Sequence, residues 1–267
     1  METVISRDGT RIACERTGAG PVLVYVGGAL NDRGSGAALA GLLAPRHTVL
    51  TYDRRGRGGS GDTPPYAVER EIEDLAAVID AAGGSAAVYG ISSGAALALR
   101  AAAHGLPVTR LAVFEPPFTP ADDDRLARAR AYNAELTRLL SGGPDGPRRG
   151  DAVALFMTHV GVPPEMVGQL RGAPMWPALE ALAPSLAHDS AVMDDAATGG
   201  AMPADVVARV AVPVLVLDGG ASPAWMRDTA RRLAAALPDG THRTLDGQTH
   251  DVSADALAPV LADFLAT

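Results

Sequence analysis

The stretch YGISSGAAL, residues 89–97, joins an apolar run to a segment with helical periodicity. Gly90 and Gly94 lie two residues before and two residues after Ser92. Small residues at these places let the backbone turn sharply from strand to helix, so that the serine hydroxyl points away from the sheet. The N-terminus of the following helix favours a negative charge there. A Gly/Ser loop can match this pattern by chance, but the strand and helix on either side favour a nucleophilic Ser92.

Short apolar runs on either side of this stretch predict an α/β sheet. Most are apolar on both faces, as parallel strands covered by helices are. They span residues 22–26, 47–53, 86–91, 110–115, 212–218 and 241–245. Two earlier segments, 3–6 and 11–16, flank Asp8-Gly9 and predict a hairpin. Helix-period segments cover 68–83, 93–105, 223–240 and 253–267. The alternation predicts eight strands, mostly parallel, flanked by helices.

Between Phe118 and Pro203 the alternation stops, and only helical patches broken by prolines remain. We therefore expect a core of residues 1–117 and 204–267 and a helical insertion of residues 118–203 after the sixth strand. The insertion either adds core or forms a lid over the carboxyl ends of the strands, where open α/β sheets bind ligands. Its position between a strand tip and the next strand favours the lid.

Three residues of this insertion are candidates for the substrate pocket: Phe156, His159 and Trp176. Aromatic side chains bury large apolar areas, and in most proteins they serve the core rather than a ligand. An apolar pocket is the prediction, and the substrate itself cannot be inferred from these residues.

The composition narrows the classes of partner. The chain has 267 residues, 47% of them hydrophobic, and a net charge of −8. An acidic chain is a poor match for nucleic acid or an anionic membrane, so we expect a small-molecule substrate. No targeting or membrane-spanning segment is evident, which predicts a cytoplasmic protein. Cys14 is the only cysteine and excludes an internal disulfide. No metal-ligand spacing and no cofactor motif are expected, and a homodimer is one assembly that the sequence leaves open.

One glycine pattern could suggest a dinucleotide. Residues 56–61 read GRGGSG and match G-x-G-x-x-G after an apolar strand. That motif needs a helix opening on its third glycine, and here Pro64 and Pro65 delay the helix. We therefore reject NAD or FAD binding. The neighbouring Arg54, Arg55 and Arg57 are interpreted as a solvated or salt-bridged loop.

His250 is the histidine best placed to act as a base. It lies in DGQTHDV, residues 246–252, between the last strand and the last helix. A loop there can bring an imidazole over Ser92. Helix ends, strands or the insertion account for the other histidines, which are His47, His104, His159, His188 and His242.

Taken together, these motifs resemble those of the α/β-hydrolase family with a helical cap, over nearly the whole chain. VYVGGAL, residues 24–30, is similar to the segment that supplies one oxyanion-hole amide, which implies Gly28 or Ala29 together with the amide of Ser93. YDRRGRGGSGD and DGQTHDV are similar to the family's loop after the next strand and its histidine loop. Val26 departs from the histidine that commonly precedes the oxyanion glycine.

The third member of the triad departs from the family as well. Its usual acid position, before Pro223, is held here by Ser222, which can accept a hydrogen bond but carries no charge. Glu115 ends the sixth strand, where some haloalkane dehalogenases of this fold place their acid. Asp218 ends the seventh strand but is also explained by the Gly219-Gly220 turn. Glu115, Asp218, and a dyad aided by Ser222 or water remain open.

The resemblance implies a serine hydrolase for an ester, lactone, thioester or similar activated carbonyl, acting through Ser92 and His250. A serine nucleophile argues against the dehalogenase and epoxide hydrolase branches, which use aspartate. Two alternatives remain: a non-hydrolytic reaction in the same pocket, such as C–C cleavage, a lyase step or a cyclisation, or a non-catalytic ligand-binding relic.

Overall fold

The sheet has the predicted architecture. The structure is a computed structural model that describes residues 2–120, 122–142 and 146–266. In this part of the chain eight strands form one sheet in the order β1-β2-β4-β3-β5-β6-β7-β8. The strands are β1 (Glu2–Ile5), β2 (Arg11–Gly18), β3 (Val22–Val26), β4 (Thr48–Tyr52), β5 (Ala86–Ile91), β6 (Val108–Phe114), β7 (Val214–Gly219) and β8 (Gly240–Leu245). β2 is antiparallel to both of its neighbours, β1 and β4, and the other strand pairs are parallel. The predicted fold class is confirmed.

Five helices cover the two faces of the sheet: α1 (Ala37–Leu43), α2 (Val68–Ala81), α3 (Ser93–Ala103), α11 (Ala224–Ala236) and α12 (Ala254–Ala266). Leu39 of α1 and Leu257 of α12 belong to the apolar cluster on one face. Leu75 of α2, Leu97 of α3 and Leu233 of α11 belong to the cluster on the other. The strands therefore bury both faces, which explains their unbroken apolar character.

Seven helices lie between β6 and β7 in the described residues: α4 (Asp123–Ser141), α5 (Arg149–His159), α6 (Pro164–Leu170), α7 (Trp176–Leu182), α8 (Leu186–Met193), α9 (Asp195–Thr198) and α10 (Ala204–Val207). Asp122 caps α4 by accepting a hydrogen bond from the Arg125 amide at 2.8 Å. Thr119 and Ala201 form a parallel bridge, so the two ends of this segment lie side by side. We refer to residues 118–203 as the helical insertion; its role as a lid stays a prediction.

The helical insertion has an apolar cluster of its own, which includes Leu136, Val153 and Leu186. Ala29 and Leu30, from the loop after β3, pack against this cluster. The insertion therefore contacts the loop that is predicted to supply an oxyanion-hole amide.

None of the helices described here combines the length and the apolar character that a membrane crossing requires.

Candidate active site

Ser92 occupies a strained turn between β5 and α3. Its backbone has φ 56° and ψ −127°, a conformation that residues with a side chain rarely adopt. The Ser92 amide donates to the Phe114 carbonyl at 3.0 Å, which ties the turn to β6. A Cβ atom at Gly90 would lie 2.6 Å from the Gly94 carbonyl oxygen, and one at Gly94 would overlap the Val26 carbonyl. The turn therefore requires both glycines of the motif.

Glu115 and His250 meet at the carboxyl edge of the sheet. Glu115 directly follows β6 with a positive φ of 42°, and it is almost completely buried. Its Oε2 atom lies 2.7 Å from His250 Nδ1, and its Oε1 atom accepts from the Gly219 amide at 2.8 Å. Burial alone raises the pKa of this carboxyl, but the contacts with His250, Gly219 and Ser222 outweigh burial and lower the pKa. Glu115 is therefore ionised at neutral pH.

Asp218, the alternative acid, has a different partner. It is fully buried, and its Oδ2 atom lies 2.8 Å from Nε2 of His242 on β8. The alternative in which Asp218 orients His250 lacks the contact that it needs, because a strand residue points its side chain to one face and this one faces His242. Nowhere in the described ranges do three His, Cys or acidic side chains group so that they could hold a metal ion.

Ser222 lies at the usual acid position but does not bind the His250 ring. The residue is buried, and its hydroxyl is close enough to Glu115 to help lower the pKa of that carboxyl. It does not meet the geometry of a hydrogen bond to any described residue. Ser222 therefore supports Glu115 rather than replacing the acid.

The sheet register brings Ser92 and Glu115 to the same level. Ile91 pairs with Phe114 across β5 and β6, so the residues after them are neighbours at the strand ends. The His250 ring lies 6.4 Å from the Phe114 ring, between centroids. Among the described contacts, Ser92 and His250 share no direct hydrogen bond. Such bonds are often long in free enzymes and tighten when substrate binds.

The loop after β3 packs directly on Ser92. A Cβ atom at Gly28 would lie 2.9 Å from Ser92 Cβ, so only glycine fits there. The Gly28 amide donates to Asn31 Oδ1 at 3.0 Å. The amides of Ala29 and Ser93 make no hydrogen bond with any described residue. Asn31 was not among the predicted site residues, although asparagine side chains often hydrogen-bond nearby backbone groups in turns.

The three arginines of the loop after β4 are buried and not solvated. Arg54 and Arg55 are each at most 1% exposed. Arg54 contacts Glu71 through two hydrogen bonds of 2.6 and 2.7 Å, and Arg55 contacts Asp74 through two of 2.8 and 2.7 Å. The interpretation of this loop as solvated was wrong, whereas the salt-bridged alternative is what the structure shows.

The three insertion candidates lie in different environments. Trp176 is buried, and its indole N–H donates to Glu180 Oε1 at 2.9 Å. Phe156 is half-buried in the cluster that contacts Ala29 and Leu30. His159 is exposed as a residue and stacks on the Tyr132 ring at 4.1 Å. Their role in a substrate pocket stays a prediction.

Two open cavities lie on the helical insertion, and neither is lined by Phe156, His159 or Trp176. One of about 340 Å³ and another of about 410 Å³ share Arg148 and Asp151 among their lining residues, and Ser92 lines neither.

A serine on a strained strand-to-helix turn, and a histidine held by the carboxylate that follows the neighbouring strand, define the class of protein. The family model described as "Alpha/beta hydrolase family" matches residues 24–262, and the chain belongs to this family. A crystal structure of an α/β hydrolase from Sphaerobacter thermophilus is 55% identical in sequence. It covers 99% of this chain and 100% of its own, with a TM-score of 0.85.

More distant structures share the fold. A thermophilic esterase from Thermogutta terrifontis is 19% identical, with a TM-score of 0.74 over 99% of this chain and 97% of its own. An enol-lactonase from Burkholderia xenovorans is 21% identical, with a TM-score of 0.65 over the full length of both chains. No protein of curated function matches the chain. The family and these neighbours support a hydrolase.

Proposed function

We propose that the chain is a serine hydrolase that cleaves an ester, lactone, thioester or similar activated carbonyl of a small apolar molecule. The contact between His250 Nδ1 and Glu115 Oε2 at 2.7 Å carries this proposal, because it leaves Nε2 of the ring free to serve a nucleophile. Ser92 stands at the neighbouring strand end and is the nucleophile in this proposal.

The reaction follows from these roles. The Ser92 hydroxyl attacks the carbonyl carbon and gives its proton to His250 Nε2. Glu115 accepts from Nδ1–H, which fixes the tautomer and stabilises the imidazolium ion. His250 then protonates the leaving group, and an acyl-enzyme remains. A water molecule, deprotonated by His250, then attacks the acyl carbon; the bond between this carbon and Ser92 Oγ breaks, His250 returns the proton to Oγ, and the acid leaves.

Two backbone amides hold the negative charge that develops on the carbonyl oxygen. One is the Ser93 amide at the start of α3. The other comes from the loop after β3, from Gly28 or Ala29. The Ala29 amide is unbonded, whereas the Gly28 amide must leave Asn31 before it can serve an oxyanion. Donors of this kind stabilise the transition state more than the substrate.

The apolar residues around the loop after β3 favour a substrate with an apolar acyl or alcohol group. Ala29 and Leu30 pack against the same cluster as Phe156 and Trp176, so the loop beside Ser92 faces hydrocarbon of the helical insertion. The esterase and the enol-lactonase among the structural neighbours suggest ester and lactone bonds as the first substrates to test.

The test is a fluorophosphonate probe followed by a substrate screen. The probe should label Ser92 and not the adjacent Ser93, and the Ser92→Ala variant should not be labelled. The screen covers p-nitrophenyl esters of increasing acyl length and lactones of increasing ring size, with Ser92→Ala as the control. Labelling that persists in Ser92→Ala refutes the assignment of the nucleophile. Labelling without any hydrolysis favours a non-hydrolytic reaction, and the absence of both favours a ligand-binding protein.

A further inference from the structure

A buried carboxylate of the helical insertion reaches the start of α3. Asp189 lies on α8 and is 4% exposed. Its Oδ1 atom accepts three hydrogen bonds, from Ser93 Oγ at 2.7 Å, from Arg54 Nη1 at 2.8 Å and from Arg57 Nη2 at 2.7 Å. A single carboxylate oxygen thus connects the insertion, the loop after β4 and the residue next to the nucleophile.

The same two arginines also contact the loop after β3. Arg54 Nη1 donates to the Gly27 carbonyl at 3.2 Å, and Arg57 Nη1 donates to the Gly28 carbonyl. A peptide group is planar and trans, so its carbonyl and its amide N–H point in opposite directions. Fixing the Gly27 carbonyl therefore aims the Gly28 amide, and fixing the Gly28 carbonyl aims the Ala29 amide. These are the two amides from which the proposed oxyanion donor comes.

Asp189 balances the buried positive charges of Arg54 and Arg57. Glu71 neutralises Arg54 through two hydrogen bonds on the other side of its guanidinium. Among the ion pairs of the described residues, Asp189 is the acid that pairs with Arg57. Arg57 is 1% exposed, and a buried cation that loses its partner is strongly unfavourable. Arg57 consequently depends on Asp189 for its position against the loop, and Arg54 would lose one of its two acidic partners without it.

We propose that Asp189 is a positioning residue for the oxyanion hole. It holds the Gly28–Ala29 amides through Arg54 and Arg57, and it holds the Ser93 end of the hole through the Ser93 hydroxyl. The helical insertion then completes the hole and does not only cover it. This inference rests on the proposed serine hydrolase mechanism and adds a role for a residue that touches no reacting atom.

The experiment uses the full chain and an ester that the wild-type protein hydrolyses. Asp189→Asn keeps the shape and one oxygen acceptor but removes the charge. Asp195→Asn is the matched control, because Asp195 is a carboxylate of the same insertion that contacts Ser190 and neither arginine. The measurements are kcat, KM, the second-order rate of fluorophosphonate labelling, and inhibition by a trifluoromethyl ketone, whose adduct carries an oxyanion.

We expect Asp189→Asn to lower kcat and the labelling rate about tenfold to hundredfold, with KM changed less than about threefold, because loss of one oxyanion donor typically costs about a hundredfold or more. Inhibition by the trifluoromethyl ketone should weaken by a similar factor. Asp195→Asn should stay within about twofold of the wild type. A merely structural role for Asp189 would not produce this split between kcat and KM.

Three outcomes overturn the proposal. One is an unchanged labelling rate in Asp189→Asn, and another is an equal loss in Asp195→Asn. If the thermal unfolding curve shows that Asp189→Asn does not fold, Ser93→Ala takes its place, because it removes the hydroxyl that donates to Asp189. The third outcome is an unchanged kcat in Ser93→Ala. Failure of the wild-type protein to be labelled at Ser92 would instead refute the proposed function, and with it this inference.

Discussion

The carboxylate of Glu115 is held at both oxygens, by His250 Nδ1 at 2.7 Å and by the Gly219 amide at 2.8 Å. A carboxylate fixed in this way cannot rotate without losing one partner. The orientation of the His250 ring is therefore set by the ends of β6 and β7, although the ring itself comes from the loop before α12.

Replacing Glu115 tests this dependence. Glu115→Gln should lower kcat by up to about ten-thousandfold, because a neutral amide neither fixes the correct tautomer nor stabilises the imidazolium ion. Asp218→Asn is the matched control: it alters a buried carboxylate beside another histidine, His242, and Ser222→Ala alters the neighbouring hydroxyl. Both should cost much less. Full activity in Glu115→Gln would leave a Ser92–His250 dyad as the mechanism.

The base is tested in the same assay. His250→Ala should lower kcat by several orders of magnitude without unfolding the chain, because the side chain is 42% exposed, although the buried Glu115 carboxylate loses one partner and the unfolding temperature should fall. His104→Ala is a suitable control, since His104 is exposed at the end of α3 and its ring contacts only the Arg100 carbonyl. Near-normal turnover in His250→Ala would move the role to another histidine.

Replacing Gly28 tests the packing of the loop after β3 on Ser92. Gly28→Ala places a methyl group 2.9 Å from Ser92 Cβ and 3.0 Å from the Ile91 carbonyl, so the loop or the serine must move. We expect a loss of kcat of about a hundredfold or more, the cost of one misplaced oxyanion donor. Gly41→Ala, in α1 with no atom within 4 Å of the new methyl group, should keep full activity. An active Gly28→Ala enzyme contradicts the arrangement.

The lowered pKa of Glu71 predicts how the free energy of unfolding changes with pH. Burial alone would raise the pKa of this carboxyl, but Arg54 and its hydrogen bonds hold the pKa at about 2, below the ordinary value of 4.5. A carboxyl with a lowered pKa stabilises the folded state above its unfolded pKa, and this contribution is lost as the pH falls through the folded pKa. The free energy of unfolding should therefore fall between about pH 4.5 and about pH 2.

Urea unfolding across this range, in the wild type and in Glu71→Gln, measures the contribution. The variant should be less stable at pH 7 and should show a weaker dependence on pH. Glu135→Gln is the control, because Glu135 forms an exposed pair with Arg138 and such pairs contribute little. Parallel pH curves for the wild type and Glu71→Gln would contradict the prediction.

The strands could be predicted from the sequence because each of them carries its signal locally. Residues 22–26 and 86–91 are apolar on both faces, and the structure has β3 and β5 at these positions. Helix α1 was not predicted, because its seven residues, AALAGLL, make only about two turns and give little periodicity. Local pattern was sufficient for the sheet and insufficient for its shortest flanking helix.

The sequence around Glu115, Asp218 and Ser222 could not show which of them orients His250. Glu115 and His250 are 135 residues apart, and only the sheet order brings the carboxylate to the histidine loop. The burial of Arg54 was equally out of reach, since Asp189 is also 135 residues from it in sequence. Ion pairs between distant segments leave no periodic trace, so the sequence could not decide between a solvated and a salt-bridged loop.

The pairing of β5 with β6 sets the spacing between Ser92 and Glu115. Because Ser92 and Glu115 follow two strands joined in fixed register, their separation does not depend on what the chain does between β6 and β7. A foreign helical segment could be spliced in place of residues 118–203 without changing that spacing. The graft would have to bring its own acid to Arg57, because Asp189 is the acid that pairs with this buried cation among the described ion pairs. It would also have to replace Phe118, Val192 and Met193, which pack in the apolar core on one face of the sheet.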